Sequence, residues 1–546
     1  MALYVAEEFT TDEADVLRRY FTNLDGPVFA LVNLPEVVKG ALFARYSRSP
    51  KSLRRLFLDE FVGDLEIAGD VTVDATIGLD RAEELYDRVF FEYGDDSVAQ
   101  LGGVHLACEQ ASNVLTKVLE WGRLMSYLEQ STRYITYDSR LDGRYRYHRD
   151  PDVLAGPLGT RFVGDLDRLF DTYAEMAATM VEFFRERFPK QPGDSDLVHR
   201  MAVRAKALDA VRGVLPAATL SNVGIYGSGQ AYEALLLRMR SHPLPEARGY
   251  ADMILGELRK VIPSFLKRVD LPDRGGLASE YMATNHAAMG EVAARLFPEI
   301  APAGVDGDAD DGTPVGEPGV QLVDWDPDGE VKTVAAMLYP YADAPEAQLE
   351  DRVRAMGIDE RLSIIRAYVG ERTNRRHRPG RAFERTGYRF DVLADYGAFR
   401  DLQRHRMLTI DWQPLSPRHG YTRPAALETA GLADEFDQAM ERSADLHDAL
   451  LEEHPAQAPY AVALAYRIRF VMQMNAREAM HLIELRSTPQ GHPAYRTVAQ
   501  EMHRLIAEQA GHAAIAAAMS FADHSAEPPL ERLDAERRAE ARRASR

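Results

Sequence analysis

Gln403-Arg404-His405-Arg406-Met407-Leu408-Thr409 closes a run in which Val392, Leu393, Tyr396, Phe399 and Leu402 recur at intervals of three and four. That spacing predicts an amphipathic helix with one face in a core. Two guanidiniums flanking an imidazole then arrive where packing is expected. They make a poor core and a good anion clamp, because arginine stays charged and presents a planar fork of donors. Alone, the tripeptide is also what a solvated helix end looks like. A second stretch, Arg123-Leu-Met-Ser126-Tyr-Leu-Glu129-Gln-Ser131-Thr-Arg133-Tyr134, reads as the other half of the same pattern.

Working outward, 546 residues exceed what one core organises and imply two to four domains. The formal charge of −20 argues against general binding to nucleic acid or an anionic membrane. The stretch from Glu371 to Arg406 departs from that average, with ten arginines against five acidic residues. Such a positive island in an acidic protein suits an anionic small molecule. Cys108 is the one cysteine, so an internal disulfide and Cys-rich metal sites are excluded. Its apolar setting fits a packing residue better than a nucleophile. The start has no basic region followed by an apolar run and no window approaches a membrane span, so a cytoplasmic location is expected.

Along the chain, a charged helix is expected up to Asp25, a helix from Leu34 to Phe61, a short strand or loop at Asp70–Asp74 and a turn at Glu92–Ser97. A long helix is expected from Glu109 to Glu129, a loop from Tyr137 to Thr160, and helices at 163–187 and 195–213. The Gly-rich Gly224–Gly229 stretch, leading into a helix that ends at Arg240, offers backbone donors to a phosphate as one reading. Gly, Pro and Asp dominate Pro302–Glu330, which reads as a linker. Helices are then expected at 345–357 and 359–368, a strand near Gly387–Val392, and helices at 425–454, 459–473, 475–487 and 493–520. The tail from Glu527 is a dense run of charge. The domain expectation is an N-terminal repeat at 1–300, a linker at 301–330, a C-terminal repeat at 331–525 and a charged tail at 526–546.

The two sides of the linker echo one another. Trp121-Gly122-Arg123 stands against Arg404-His405-Arg406, and Leu237-Arg238 stands against Leu485-Arg486 at the end of the Asn475-Ala-Arg477 helix. These anchors resemble the flavin-dependent thymidylate synthase family, whose signature is R-H-R-x-x-S-x-N-E-x-S-x-R with a later N-x-R helix ending in L-R. The likeness covers roughly 90–260 and 370–510. It implies an α+β fold: two tandem divergent copies of the family domain, each a small antiparallel sheet packed by helices, forming a pseudo-dimer. Further pairing into a homodimer is left open.

The resemblance implies complementary losses. The second half keeps Arg404, His405, Arg406, Asn475, Arg477 and His481 as flavin-side residues, with Arg486 closing the late helix. The first half keeps Glu129, Ser131, Arg133 and Arg212-x-x-Leu215-Pro216, and has Trp121-Gly122 where R-H belongs and Gly227-Ser228-Gly229 where N-x-R belongs. In the second half Trp412 replaces the acid, and Ser416-Pro-Arg418 recovers S-x-R only with an insertion. One working site is therefore expected, with Arg486 and Ser131 catalytic and Glu129, Ser131, Arg133, Arg212, Arg404 and Arg486 on the substrate.

The implied reaction is methylation of dUMP at C5, with FAD as cofactor, methylene-tetrahydrofolate and NADPH as co-substrates, and no metal. Arginines and a serine hydroxyl suit a nucleotide phosphate, and a guanidinium suits charge developing on a uracil ring. Three departures stand out. Asp401 lies where the family often has Gln, Gly94-Asp95-Asp96-Ser97 lacks the family's His, for which His377 is a substitute, and Trp121 is either a core residue or a plug, with core preferred. The rival readings are a non-catalytic flavin- or nucleotide-binding homologue, a methylase of another uracil nucleotide and, more remotely, RNA binding through Arg372–Arg389.

Overall fold

Period-two alternation in Arg467-Ile-Arg-Phe-Val-Met-Gln-Met-Asn475 buries Ile468, Phe470, Met472 and Met474 on one face, and the segment is a strand. The computed structural model describes residues 4–34, 38–39, 42–43, 46–47, 49–60, 103–297, 319–525, 530, 533 and 537. The expectations for 70–74, 92–97, most of the linker and nearly all of the tail lie outside the described residues. The chain divides into two compact units: Met1–Ala174, Val214–Asp311 and Glu441–Ala463 make one, and Glu175–Gly213, Gly312–Met440 and Leu464–Arg546 make the other.

The first unit holds a four-stranded antiparallel sheet in the order β1-β2-β4-β3, with β1 Val28–Leu31, β2 Gly103–Ser112, β3 Met125–Glu129 and β4 Leu220–Ser228. Helix α1, Asn113–Leu119, joins β2 to β3, and α2, Gly229–Arg240, follows β4. A further helix, α3, Leu277–Leu296, follows later in the unit. The second unit repeats the plan with β5 Gly319–Trp325, β6 Gly387–Asp395, β7 Leu408–Trp412 and β8 Arg467–Asn475 in the order β5-β6-β8-β7. Helix α4, Tyr396–Leu402, joins β6 to β7; α5, Ala476–Arg486, follows β8; and α6, Pro493–Glu508, packs beside it. The tandem-repeat fold is therefore what the chain adopts, and register supports it in detail. Gly103 pairs with Ser228 as Gly387 pairs with Asn475, and Met125 pairs with Gly227 as Leu408 pairs with Met474.

Several expected helices are strands. Val392 and Leu393 belong to β6, and the helix before Arg404 is only the seven residues of α4, because Asp395 caps it by accepting from the Ala398 amide at 2.8 Å. The expected 109–129 helix is β2, α1 and β3. The expected 459–473 helix is mostly a short 3-10 turn and β8, and the end of the expected linker is β5. Gly224–Gly229 is not a phosphate loop but the end of β4 and the start of α2. Its glycines admit close neighbours: a Cβ at Gly224 would stand 2.3 Å from the Phe43 ring, and one at Gly229 2.8 Å from Phe265.

Candidate active site

Each unit places a helix end and the first residue of a late helix beside its β3-type or β4-type strand, so the two copies can be compared position by position. In the second unit, α4 ends at Leu402, and Arg404-His405-Arg406 lead into β7. Arg486, at the end of α5, returns to the same place. The Asp401 carboxylate has the Arg486 Nη1 at 3.7 Å and the Arg404 Nη1 at 3.8 Å from one oxygen, and the Arg212 Nη1 at 3.9 Å from the other. These are ion-pair separations, too long for direct hydrogen bonds. Arg212 lies in the segment that belongs to the second unit, and it approaches α4 because Gly397 has no side chain. A Cβ at Gly397 would lie 3.2 Å from the Arg212 guanidinium.

Three guanidiniums thus share Asp401. Asp395, the other acid near Arg212, is buried, which pushes its carboxyl up, while Arg212 pulls it down. Even with both carboxylates charged the group stays net positive, so Asp401 faces the cations rather than repelling a ligand anion outright. His405 is buried and connects this cluster to α5. The Arg486 Nε donates to its Nε2 at 3.0 Å, and its Nδ1 lies 3.0 Å from Glu478 Oε1. Nδ1–H is therefore the donor and the ring is neutral. Burial, then the Arg486 charge, holds His405 well below the usual imidazole range. Burial likewise pushes Glu478 up and brings His481 down to about 4.

A recess of about 80 Å³ opens beside these groups, lined by Arg375, Arg378, Asn475, Arg477, Glu478 and His481 among others. Asn475 caps α5 by accepting from the Glu478 amide at 2.9 Å. Arg477 donates to the Pro379 carbonyl and pairs with Glu384 at 3.2 Å. Arg372 grips buried Glu484 through both nitrogens, at 2.5 and 2.6 Å, and its Nε donates to the His377 carbonyl. Arg406 is exposed. His405, Glu478 and His481 each offer a metal-ligand atom within 4.8 Å of the others. Both His405 nitrogens are committed to Glu478 and Arg486, which opposes metal ligation there.

In the first unit the matching positions are altered. Gly122 replaces His405, and a Cβ there would come within 2.6 Å of the Tyr127 hydroxyl. Trp121, preferred as a core residue on sequence, is 40% exposed and stacks with Arg238 at 5.2 Å instead. Arg238 has no carboxylate partner among the described residues, and burial lowers its pKa. Strand register corrects one sequence alignment: Ser228 and Gln230, not Gly227 and Gly229, stand at the places of Asn475 and Arg477. Ser228 caps α2 as Asn475 caps α5.

Of the substrate-side residues of the first half, Glu129 ends β3, and Ser131 and Arg133 follow it. Glu129 is buried against Lys117, whose Nζ is 3.3 Å from Glu129 and 2.6 Å from Glu120. The Ser131 Oγ accepts from the Arg133 amide at 3.3 Å, and both side chains are half-buried. Cys108 is fully buried and its thiol is pushed far up by burial, which removes it as a nucleophile. Sequence reasoning missed Gly397, Glu478 and the Arg372–Glu484 pair. Glu478, three residues beyond the Asn475 cap, was the available signal.

The Thy1 family, described as thymidylate synthase complementing protein, matches residues 48–264 and 321–511. The chain belongs to this family. It carries two copies of the family domain, one in each matched region. A UPF0159 protein of Chlamydia muridarum is 39% identical over 98% of this chain and 99% of its own length. One of Chlamydia pneumoniae is 40% identical over 92% and 93%, and one of Thermoplasma acidophilum is 32% identical over 91% and 97%. The crystal structure of a UMP/dUMP methylase, PolB from Streptomyces cacaoi bound with 5-Br dUMP, aligns with 37% of this chain and 96% of its own, at 19% identity and a TM-score of 0.29. Among the described residues no helix is long and apolar enough to cross a membrane.

Proposed function

We propose that this protein is a flavin-dependent methylase of a uracil nucleotide, with dUMP as acceptor. The reaction converts dUMP, methylene-tetrahydrofolate, NADPH and a proton into dTMP, tetrahydrofolate and NADP. The observation that carries the reading is the positive cluster of Arg212, Arg404 and Arg486 about Asp401, joined to a neutral His405. A nucleotide phosphate is a dianion near neutral pH, and a guanidinium fork in a partly buried setting is the donor that suits it. Arg486, tethered by His405 and by the Tyr495 ring at 5.4 Å, is placed rigidly enough to stabilise negative charge on a uracil ring.

FAD, when bound, supplies the electron transfer between NADPH and the transferred carbon. Arg375, Arg378, Arg477 and His481 form a donor-rich wall that suits its anionic portion. A recess of about 80 Å³ holds only part of such a molecule, so the reading needs further groups. From the sequence it takes Glu129, Ser131 and Arg133 as serving the same reaction.

The test is anaerobic turnover of dUMP and UMP in parallel, with FAD, methylene-tetrahydrofolate and NADPH. Formation of dTMP with dUMP-dependent NADPH oxidation is expected. Colourless protein with no nucleotide-dependent oxidation overturns the reading. The second reading, a non-catalytic nucleotide binder, is favoured by the altered first copy; tight nucleotide binding without methyl transfer in the same assay selects it.

A further inference from the structure

The first unit holds a cavity of about 1170 Å³, and the described residues that line it all belong to that unit. One wall is the extended segment from Arg144 to Asp150. The Asp142-Gly143 turn, with φ of 50° and 70°, sends this segment back from Leu141. Backbone hydrogen bonds then fix it: the His148 amide donates to the Ala218 carbonyl at 2.8 Å, and the Leu220 amide to the Arg146 carbonyl at 2.9 Å. Tyr145, Tyr147 and Tyr250 also line the cavity. Their hydroxyls are engaged by Asp171, Asp167 and the Glu109 carbonyl, so what they offer is apolar ring. Leu141 and Leu154, 37% and 39% exposed, add apolar surface.

His148 and Asp150 belong to the same lining and are only 7% and 1% exposed. Glu246, on the helix Pro245–Leu258, stands 3.6 Å from the His148 Nδ1. Glu246 is itself fixed by the Ser112 amide at 2.9 Å, the Ser112 hydroxyl at 2.6 Å and the Tyr460 hydroxyl at 2.7 Å. Asp150 uses one oxygen as a helix cap, accepting from the Asp152 and Val153 amides at 3.0 and 3.2 Å. Its other oxygen lies 3.8 Å from the His148 Nε2, too far for a direct hydrogen bond, and neither atom has another partner. Burial pulls His148 down, but Glu246 and Asp150 outweigh it and hold the ring above the usual imidazole range. Burial pushes Asp150 up, but His148 and the capped amides outweigh it and hold the carboxyl below the usual range. Nε2 is thus a donor and Oδ2 an acceptor, side by side and unsatisfied. That is costly at this depth.

We infer that this cavity takes a neutral sugar-bearing molecule, one ring hydroxyl of which bridges His148 and Asp150. A hydroxyl both donates and accepts, and an oxygen about 2.8 Å from each atom closes a triangle on their 3.8 Å separation. An ammonium would meet the Nε2–H head on, and a phosphate or carboxylate would meet Asp150. The rest of the lining decides the same way. Among the described residues it carries six carboxylates against three guanidiniums and the imidazole, a field that repels anions. The C–H faces of a sugar ring suit the tyrosines and leucines. The volume lies just above the range of about 300–1,000 Å³ usual for small-molecule pockets, far beyond what a bridging water needs. The ribose of a nucleoside and a free sugar share this chemistry. The site lies in the first unit, the arginine cluster about Asp401 in the second, and the inference does not depend on the proposed reaction.

Calorimetry on the full chain with uridine, adenosine, ribose, glucose and maltose, each up to about 10 mM, tests the inference. At least one probe should bind; nucleosides alone identify the first source, and sugars alone the second. Asp150→Asn keeps the capping oxygen and puts an NH2 where the acceptor stood, and His148→Phe removes the donor. Each should weaken binding about tenfold or more, with the far-UV circular dichroism spectrum retained. In the unaltered protein the bound probe should shift the NMR signals of the His148 ring nitrogens, and dUMP should not displace it. Absence of binding by every probe, binding indifferent to both variants, an unshifted His148 ring, or displacement by dUMP each overturns the inference.

Discussion

Gly397 is the residue through which Arg212 reaches Asp401. A methyl group there meets the Asp395 carboxylate at 3.0 Å and the Arg212 guanidinium at 3.2 Å, so the neighbours must give by a few tenths of an ångström. Alanine also gains about 1 kcal/mol of helix propensity over glycine, which offsets the steric push of similar size. Gly397→Ala should therefore leave the melting temperature nearly unchanged while weakening dUMP binding, measured by calorimetry. The histidines make a pH prediction. His405 and His481 have folded pKa values depressed by burial, His481 to about 4. Unfolded histidine binds its proton near pH 6.5. Stability linked to these rings is thus present above pH 6.5 and is lost as pH falls from there towards 4. Glu478, pushed up by burial, acts in the opposite sense. Urea unfolding between pH 7 and 5 should show the loss, and His481→Asn should reduce it. Proton NMR should find the His405 ring still neutral where a solvent-exposed histidine has taken up its proton.

Helix caps decide where the site residues stand. Asp395 and Ser112 occupy one equivalent cap, and Asn475 and Ser228 the other. Asn475→Ala should cost about 1 kcal/mol of stability in urea titrations even without cofactor; an unchanged midpoint would mean that the side chain serves only a ligand. These caps also explain what was legible. Arg404-His405-Arg406 and the late Asn475–Arg486 helix could be read directly, because motif and helix end coincide. The β6–α4 boundary could not. Apolar residues at 392, 393, 396, 399 and 402 fit a helical period as well as a strand followed by a short helix, and one aspartate cap decides between them. Likewise Gly227 and Gly229 imitated N-x-R in composition, whereas strand register assigns Ser228 and Gln230 to those places.

At the scale of the whole molecule, two sheets of identical strand order carry unequal chemistry. The tandem architecture was readable because the R-H-R and L-R anchors survive, in altered form, on both sides of the linker. The position of Arg212 was not, since its segment joins the unit that sequence order does not suggest. In the second copy a histidine links Arg486 to Glu478; in the first, a glycine holds that place and Arg238 rests on Trp121. The arginines about Asp401 in the second unit, Arg212 among them, are therefore expected to carry the chemistry, and Arg238 of the first unit is not. Anaerobic dUMP-dependent NADPH oxidation, compared for Arg404→Ala, Arg212→Ala and Arg238→Ala, tests it most directly. A fall of about a hundredfold or more is expected for Arg404→Ala and Arg212→Ala, with Arg238→Ala close to the unaltered protein. Activity surviving in Arg404→Ala and lost in Arg238→Ala would contradict it.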